Sequence, residues 1–234
     1  MKSLTLLAAL LAAAPARAFD SYTFALSWEP AFCETKSSAP ECESGNADRF
    51  DATHLALHGL WPDPGNGYCG VDAKTRALDR ASTWCQLPEP ALSDGTRDAL
   101  ASVMPGASSC LDHHEWIKHG TCSGLEADGY FALAAALVRK VAQTAFGRYL
   151  SAHAGETANR ESALSAFEQE FGAGSRDKIV LNCADVHGSP ALLEVRLRLS
   201  PNIAAASELG ARMMPAGAAG NCPDSFLLDS FPAR

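Results

Sequence analysis

The sequence predicts an α+β fold, in which a central, mostly antiparallel β-sheet packs against several α-helices and is stapled by disulfides. Strand-like alternation occurs near both ends of the chain, and helix-like periodicity fills its middle. The chain also has eight cysteines, an even number typical of exported proteins with disulfide bonds. Neither a repeat nor a domain linker is visible, so residues 19–234 are expected to form a single domain.

The first residues have the composition of an export signal. Lys2 precedes an apolar run over residues 6–14, and residues 16–18 have the A-x-A form of a cleavage site. The apolar run is too short to span a bilayer. We therefore expect residues 1–18 to be a signal peptide, no membrane association of the remaining chain, and a periplasmic or secreted location.

The N-terminal part is predicted to contain two strands, over residues 22–28 and 53–59. If the second is extended, His54 and His58 share one face and Leu55 and Leu57 face the core. The polar segment 34–51 should be a stapled loop. Prolines and glycines in residues 62–70 predict another loop directly after the second strand.

The middle of the chain is predicted to be helical over residues 94–104, 113–118, 128–146 and 160–171. Two strands then follow, over residues 178–183 and 192–199. In the second, four apolar residues alternate with three charged ones: Leu193, Val195, Leu197 and Leu199 against Glu194, Arg196 and Arg198. Residues 204–220 are rich in alanine and glycine and are predicted to be irregular.

The charge balance restricts the class of function. The formal net charge is −8, and removal of Lys2 and Arg17 with the leader would take it to about −10. Affinity for a polyanion comes mainly from lysine and arginine, so this charge argues against a module that binds nucleic acid tightly. It permits an enzyme that has only a local positive pocket.

The cysteines exclude two kinds of site but leave their own pairing open. No C-x-x-C occurs, so neither a zinc ribbon nor a thioredoxin-type redox site is supported. Eight cysteines allow about 105 connectivities, and spacing alone does not choose among them.

The residues that carry chemistry lie in two short segments, HGLWP at residues 58–62 and HHEWIKHGTC at residues 113–122. Histidine titrates nearest neutrality, so two histidines can act as general base and general acid. In the second segment, helical spacing places His114 and Lys118 on one face and Glu115 and His119 on the next. Lys118 could stabilise an oxyanion.

Other catalytic classes fit this sequence poorly. A zinc metalloprotease helix needs histidines four residues apart, whereas His114 and His119 are five apart, about 140° out of helical register. No G-x-S-x-G elbow, P-loop or dinucleotide fingerprint occurs. If all cysteines are oxidised, no thiolate nucleophile remains.

The remaining chemistry is cleavage of RNA by its own ribose 2′-OH. The protein must deprotonate that hydroxyl, protonate the leaving 5′-oxygen and stabilise charge on the phosphate. His58 and His119 suit the proton transfers, Lys118 suits charge stabilisation, and Glu115 could orient or tune its neighbours. DNA lacks the 2′-OH and could not react.

At these residues the chain resembles the ribonuclease T2 family, most closely its bacterial periplasmic branch. HGLWP and HEWIKHGTC are similar to the two active-site motifs of that family. The resemblance implies that His119 is the base and His58 the acid, and that Glu115 and Lys118 stabilise the pentacovalent phosphate. His114 would hold phosphate or the neighbouring nucleotide. An α+β fold, no metal, no cofactor and weak base preference are implied as well.

The resemblance also implies base-binding residues and disulfides. Trp61 and Tyr68 match stacking aromatics by position, and Asp63 could accept a hydrogen bond from an exocyclic amine. The implied disulfides are Cys183–Cys222, Cys85–Cys122, Cys42–Cys110 and Cys33–Cys69, with Cys33–Cys42 an open alternative.

The sequence therefore predicts a monomeric, metal-independent endoribonuclease that cleaves single-stranded RNA with low base specificity. It would leave 2′,3′-cyclic phosphate ends, with hydrolysis to 3′-phosphates as an optional second step. One alternative is an inactive exported protein of the same fold that binds RNA or another partner. Another is a metal-dependent phosphodiesterase, which would also act on DNA.

Overall fold

The computed structural model describes residues 19–43 and 45–231, so the predicted signal peptide lies outside the described residues. Within these residues, seven strands form one sheet. They are β1 (Ser21–Ser27), β2 (Ala56–Asp63), β3 (Thr157–Asn159), β4 (Ile179–Val186), β5 (Ser189–Leu199), β6 (Met213–Met214) and β7 (Ser225–Leu227). The order is β2-β1-β5-β7-β3, and β4 and β6 also pair with β5. All pairs are antiparallel except β5 with β7.

Helices occupy the connections between the strands. They are α1 (Glu29–Thr35), α2 (Pro40–Glu43), α3 (Ala73–Arg80), α4 (Asp94–Ala101), α5 (Leu111–Lys118), α6 (Ala127–Ala142), α7 (Ala145–Ala152), α8 (Arg160–Phe171) and α9 (Leu209–Arg212). The described residues therefore confirm the predicted α+β class. Among them, no helix is both long enough and apolar enough to cross a membrane.

The core lies between one face of the sheet and the helices. In β1, Phe24 and Leu26 are fully buried, and they pair with Leu197 and Val195 of β5. Helix α6 packs on this face, and the Tyr130 hydroxyl donates to the backbone oxygen of Leu60 at 2.7 Å. This hydrogen bond fixes α6 against β2, the strand that carries the first motif.

The predicted helix over residues 128–146 is two helices in the structure. Helix α6 ends at Ala142, and the Thr144 hydroxyl caps α7 by accepting from the Gly147 N–H at 3.0 Å. Threonine favours such a cap because its side chain satisfies a backbone donor that has no partner within the helix.

The alternation predicted for the last long strand is interrupted. In the pairing of β4 with β5, Asn182 lies opposite Glu194 but Cys183 lies opposite Leu192, so Leu193 is an extra residue. Leu192 is fully buried, whereas Leu193 is only partly buried. The predicted alternation therefore fails at Leu193, because a bulge shifts the side-chain order by one residue.

Four disulfides connect the described chain: Cys33–Cys42, Cys69–Cys122, Cys85–Cys110 and Cys183–Cys222. The implied Cys183–Cys222 bond is present, and Cys33–Cys42 replaces the implied Cys33–Cys69. The implied Cys85–Cys122 and Cys42–Cys110 are absent from this structure. The physical reason is local. Helices α1 and α2 adjoin in sequence and bring Cys33 and Cys42 together, with Cα atoms 5.3 Å apart.

The other two corrections follow from how α5 is packed. The backbone N–H of Tyr68 donates to the Lys118 carbonyl at 2.8 Å, which places Cys69 beside Cys122 just after α5. Cys85 lies in a 3-10 turn, Trp84–Gln86, that packs at the start of α5 and reaches Cys110 there. Both ends of this helix are thus held covalently.

Candidate active site

The first motif lies on β2, and a bulge directs its histidine. Ala25 pairs with Gly59 and Leu26 pairs with Leu57, so His58 is an extra residue without a partner on β1. Leu57 and Leu60 both face the core, although an unbroken alternation would place them on opposite faces. The bulge thereby allows a partly exposed His58 side chain between two core positions.

A carboxylate from β5 contacts His58. Oε1 of Glu194 lies 2.8 Å from Nδ1 of His58, and the Glu194 residue is only 8% exposed. The Arg196 guanidinium forms an ion pair with the other carboxylate oxygen of Glu194. It also lies over the Trp61 ring, 5.6 Å from the ring centroid. Sheet residues from β2 and β5 thus form one wall of the site.

Helix α5 forms the opposite wall. The buried Glu115 carboxylate accepts a hydrogen bond from the Trp61 indole N–H at 2.7 Å, which connects the second motif to the first. His119 is the residue after the last turn of α5, and its ring centroid lies 5.4 Å from that of Trp61. The His58 ring centroid lies 5.0 Å from the same indole. Trp61 therefore contacts both histidines.

Gly59 makes this arrangement possible. A Cβ at this position would lie 2.1 Å from the indole nitrogen of Trp61 and 2.2 Å from Oε2 of Glu115. Both distances are too short for a Cβ to occupy this place. The hydrogen bond between Trp61 and Glu115 therefore requires glycine at position 59.

His114 is held at the edge of the site by contacts with α3 and the loop that follows it. Its Nδ1 lies 2.6 Å from a carboxylate oxygen of Asp79, and its ring stacks on Trp84 with centroids 4.5 Å apart. The second oxygen of Asp79 accepts from the Tyr68 hydroxyl at 2.6 Å. The nearly fully buried Asp79 carboxylate thus connects Tyr68, in the loop after β2, with His114 of α5.

The predicted base-binding residues are dispersed. Trp61 lies at the centre of the site, and Tyr68 is attached to its edge through Asp79. Asp63 is exposed at the end of β2. It lines a separate cavity of about 540 Å³ together with Thr23 and Arg198. The structure therefore brings together His58, Trp61, His114, Glu115 and His119, but it leaves Asp63 apart from them.

The two histidines that contact Trp61 titrate in opposite directions. Burial lowers the pKa of His58, but the hydrogen bond with Glu194 and the charge of Glu115 outweigh burial and raise it above its ordinary value. Burial and the positive charges of Lys118, His114 and His58 lower the pKa of His119 to about 3. Near neutrality His119 is thus neutral, and His58 holds a proton more readily.

Burial also dominates the neighbouring groups. It raises the pKa of Glu115 to about 7, against the lowering effects of His58, the Trp61 N–H and Lys118. It lowers the pKa of His114, although the hydrogen bond with Asp79 acts in the opposite direction. Near neutral pH the Glu115 carboxyl is therefore partly protonated, and the lowered pKa of His114 favours its neutral form.

One group of side chains could hold a cation. Donor atoms of His114, Glu115 and His119 all lie within 4.8 Å of one another. The expectation from helical register that His114 and His119 diverge is wrong, because α5 ends at Lys118 and His119 lies beyond the helix. Their ring centroids are 6.1 Å apart.

Sequence reasoning missed Asp79 and Glu194. Asp79 lies in α3, a helix that the sequence analysis did not predict. Glu194 did have a signal, because it is a charged residue within an apolar alternation, on the same face as Arg196. That signal indicated a solvent-facing position, whereas the side chain packs against the first-motif histidine.

Sequence and structural likeness relate the chain to known ribonucleases. The model of the Ribonuclease T2 family matches residues 19–209. The chain is 31% identical to ribonuclease I of Escherichia coli K12 over 90% of this chain and 86% of that protein. The structure of ribonuclease MC1 from bitter gourd seeds aligns with a TM-score of 0.55 at 20% identity, over 89% of this chain and all of that one.

The S3-RNase of Japanese pear aligns with a TM-score of 0.58 at 17% identity, over 91% of this chain and 100% of that one. These two likenesses concern the fold, and the family match and the bacterial relative concern the sequence. Such relatives support an endoribonuclease activity. The chain belongs to the Ribonuclease T2 family.

Proposed function

We propose that this chain is an exported, metal-independent endoribonuclease that cleaves single-stranded RNA with low base specificity. The ribose 2′-OH would attack the adjacent phosphorus, expel the 5′-oxygen of the next nucleotide and leave a 2′,3′-cyclic phosphate. The observation that carries this proposal is the pair of oppositely tuned histidines on either side of Trp61. Two groups whose pKa values are driven apart can serve as base and acid in one step.

His119 is assigned as the base toward the 2′-OH. Burial and the nearby Lys118 ammonium keep its ring neutral, and a neutral ring can accept a proton. When an anionic phosphate enters, it opposes those positive charges and raises the basicity of His119. The group thus becomes a stronger base when substrate is in place.

His58 is assigned as the acid that protonates the leaving 5′-oxygen. Glu194 and Glu115 favour its charged form, so it carries the proton that the alkoxide needs on departure. A cavity of about 590 Å³ opens beside it and is lined in part by Leu193, Trp84 and Asn182. This space is large enough for the nucleoside that leaves.

Lys118, Glu115 and His114 are assigned to the phosphate. The Lys118 ammonium would offset the charge that grows on the non-bridging oxygens. Because burial raises the pKa of Glu115 to about 7, its protonated form can donate a hydrogen bond to phosphate instead of repelling it. Nε2 of His114 lies 3.9 Å from Oε1 of Glu115, so both groups can address the same phosphate.

Base binding would involve Trp61 and Tyr68 as stacking surfaces, with Asp63 as an acceptor for an exocyclic amine. Stacking accepts any base, which fits low specificity. For the whole chain we propose a signal peptide at residues 1–18, a single ribonuclease domain at 19–234, a monomeric state, and a periplasmic or secreted location. Four disulfides support the oxidising compartment.

The test is digestion of a synthetic RNA and its 2′-deoxy counterpart by the purified mature protein in excess EDTA, with His119→Ala in parallel. We expect cleavage of RNA alone, with 2′,3′-cyclic phosphate ends, and loss of cleavage in the variant. Cleavage that EDTA abolishes would contradict the proposal and would favour a metal at His114, Glu115 and His119. An inert but correctly disulfide-bonded protein would favour the inactive RNA-binding or interaction protein.

A further inference from the structure

We propose that Glu194 is the positioning residue of the acid: its carboxylate fixes His58 in the tautomer that carries hydrogen on Nδ1 and directs Nε2 toward the scissile phosphate. This inference rests on the proposed function for its catalytic consequence only. Its structural part, the tautomer, is a property of the protein without substrate.

The tautomer follows from the chemistry of the contact. An ionised carboxylate can only accept hydrogen bonds, so the 2.8 Å contact between Oε1 of Glu194 and Nδ1 of His58 requires the hydrogen on Nδ1. The pKa of Glu194 is lowered: burial raises it, but the contacts with His58 and Arg196 outweigh burial, so the group is ionised near neutrality. His58 therefore presents Nε2 as its reactive atom.

The fold prepares this contact on both strands. His58 is the extra residue of the β2 bulge, and Glu194 directly follows Leu193, the extra residue of the β5 bulge. Strand β1 separates the two and contributes Ser27, which pairs with both Ala56 and Glu194. Because Ser27 is small, it leaves room for His58 of β2 and Glu194 of β5 to meet across β1.

The contact supports both directions of proton transfer. In the charged ring, the hydrogen on Nε2 is the proton given to the 5′-oxygen, while Nδ1–H keeps donating its hydrogen bond to Glu194. After the transfer the ring is neutral with a free lone pair on Nε2, so the same atom can accept a proton from the water that hydrolyses the cyclic phosphate. Without Glu194, the neutral ring could place its hydrogen on Nε2 and lose that capacity.

The charged groups around His58 determine its titration. From β5 these are Glu194 and Arg196, and from α5 Glu115 acts on it through its charge. The positive charge of His58 in turn lowers the pKa of His114 and His119. Glu194 is the group in direct hydrogen-bond contact, so its removal should change His58 more than any other single substitution.

The first experiment uses the wild-type protein without substrate. Long-range ¹H–¹⁵N correlation spectra of ¹⁵N-labelled protein, recorded across pH, report the tautomer and pKa of each histidine. We expect neutral His58 to have the Nδ1–H form. The Nε2–H form would overturn the proposal, whether or not the protein cleaves RNA. Because this readout needs no turnover, failure of the tautomer and failure of the ribonuclease assignment are distinguishable.

The second experiment compares Glu194→Gln and Glu194→Asp. The amide keeps the shape but removes the charge, so the pKa of His58 should fall by roughly 1–2 units. The alkaline limb of kcat/KM should move to lower pH by the same amount, while the acidic limb stays. Aspartate keeps the charge and should restore the limb partly.

The matched control is Glu161→Gln, which removes a surface carboxylate that bonds to Arg176 at 2.7 Å. It should change neither the limb nor the His58 titration. If Glu194→Gln lowers kcat while the alkaline limb and the His58 titration stay unchanged, Glu194 is merely structural and the proposal is wrong. If that variant does not fold, the Glu194→Asp titration and the wild-type tautomer decide.

Discussion

The two walls of the site each carry a histidine, and the pKa values of these histidines are shifted in opposite directions. On the sheet wall, His58 has a carboxylate partner, and its pKa is raised. On the helix wall, His119 has the adjacent Lys118 ammonium, and its pKa is lowered. In the described part of the chain, no hydrogen bond to the His119 ring is found. Burial lowers the pKa of both histidines, and Lys118 lowers that of His119 further, but the carboxylates beside His58 outweigh burial there. The difference teaches that a carboxylate neighbour separates the proposed acid from the proposed base.

The largest expected effect is the loss of activity when either histidine is removed. Substrates with different leaving groups should distinguish the acid role of His58 from the base role of His119. His58→Ala and His119→Ala should each lose about 10²–10⁴-fold in kcat/KM on a dinucleotide. A uridine 3′-(4-nitrophenyl phosphate) has a leaving group that needs no protonation. On it, His58→Ala should recover most of its activity and His119→Ala should recover little. Steady-state kinetics on both substrates measures the difference, and the reverse pattern would exchange the two roles.

A smaller effect is expected where the walls meet. Gly59→Ala would place a Cβ 2.1 Å from the indole nitrogen of Trp61, so the hydrogen bond between Trp61 and Glu115 must break. We expect kcat to fall roughly 10–100-fold and stability to fall by about 1–3 kcal/mol. Urea unfolding and kinetics check both values. Gly95→Ala, at an open helical position, is the control: it should leave kcat unchanged and should not lower stability, because alanine favours a helix over glycine.

The pH dependence of kcat/KM for the wild-type protein tests both pKa shifts. A neutral His119 is required, so kcat/KM should rise as pH increases through its low pKa of about 3. A protonated His58 is required, so kcat/KM should fall as pH increases through its raised pKa.

Bound phosphate raises the pKa of His119, so the acidic limb of kcat should lie at higher pH than that of kcat/KM. Initial rates at saturating and limiting substrate measure the two profiles. Coincident acidic limbs would contradict a base that substrate activates.

The smallest expected effect is on stability. The folded-state pKa of His119 is depressed, so between the ordinary histidine value and about pH 3 the unfolded chain binds the proton and the native chain does not. His119→Gln should therefore be more stable than the wild type at pH 5, by roughly 2 kcal/mol, and equally stable at pH 8. Urea unfolding at both pH values is the measurement, and an equal difference at both would exclude this explanation.

Much of the fold was predictable where periodicity is strong. Helix α8 begins and ends as predicted, at Arg160 and Phe171. The apolar residues whose periodicity predicts α6 are buried, including Leu137 and Val138. Helix α3 was missed because it is polar and mostly exposed, so it lacks an apolar period. The bulges at His58 and Leu193 were missed because an inserted residue has no signal in a single sequence.

The candidate site was predictable where its residues are close in the chain. His114, Glu115, Lys118 and His119 lie within six consecutive residues, so their proximity follows from their closeness in the sequence. Glu194 lies 136 residues from His58, and its role depends on which strands pair, which single-strand patterns do not determine. Three of the four implied disulfides were wrong for the same reason, since their pairing depends on how α5 packs against distant loops, whereas Cys183–Cys222 is present.

The bulge at His58 places catalysis in conflict with folding. A strand without the extra residue would pair with β1 through an unbroken ladder, so the sheet would be more regular without His58, the residue that we propose as the acid. A selection for thermal stability alone would therefore favour deletions here. Such variants would lose activity although their melting temperature does not fall. Stabilising libraries of this protein should hold residues 57–60 constant and vary the helical side instead.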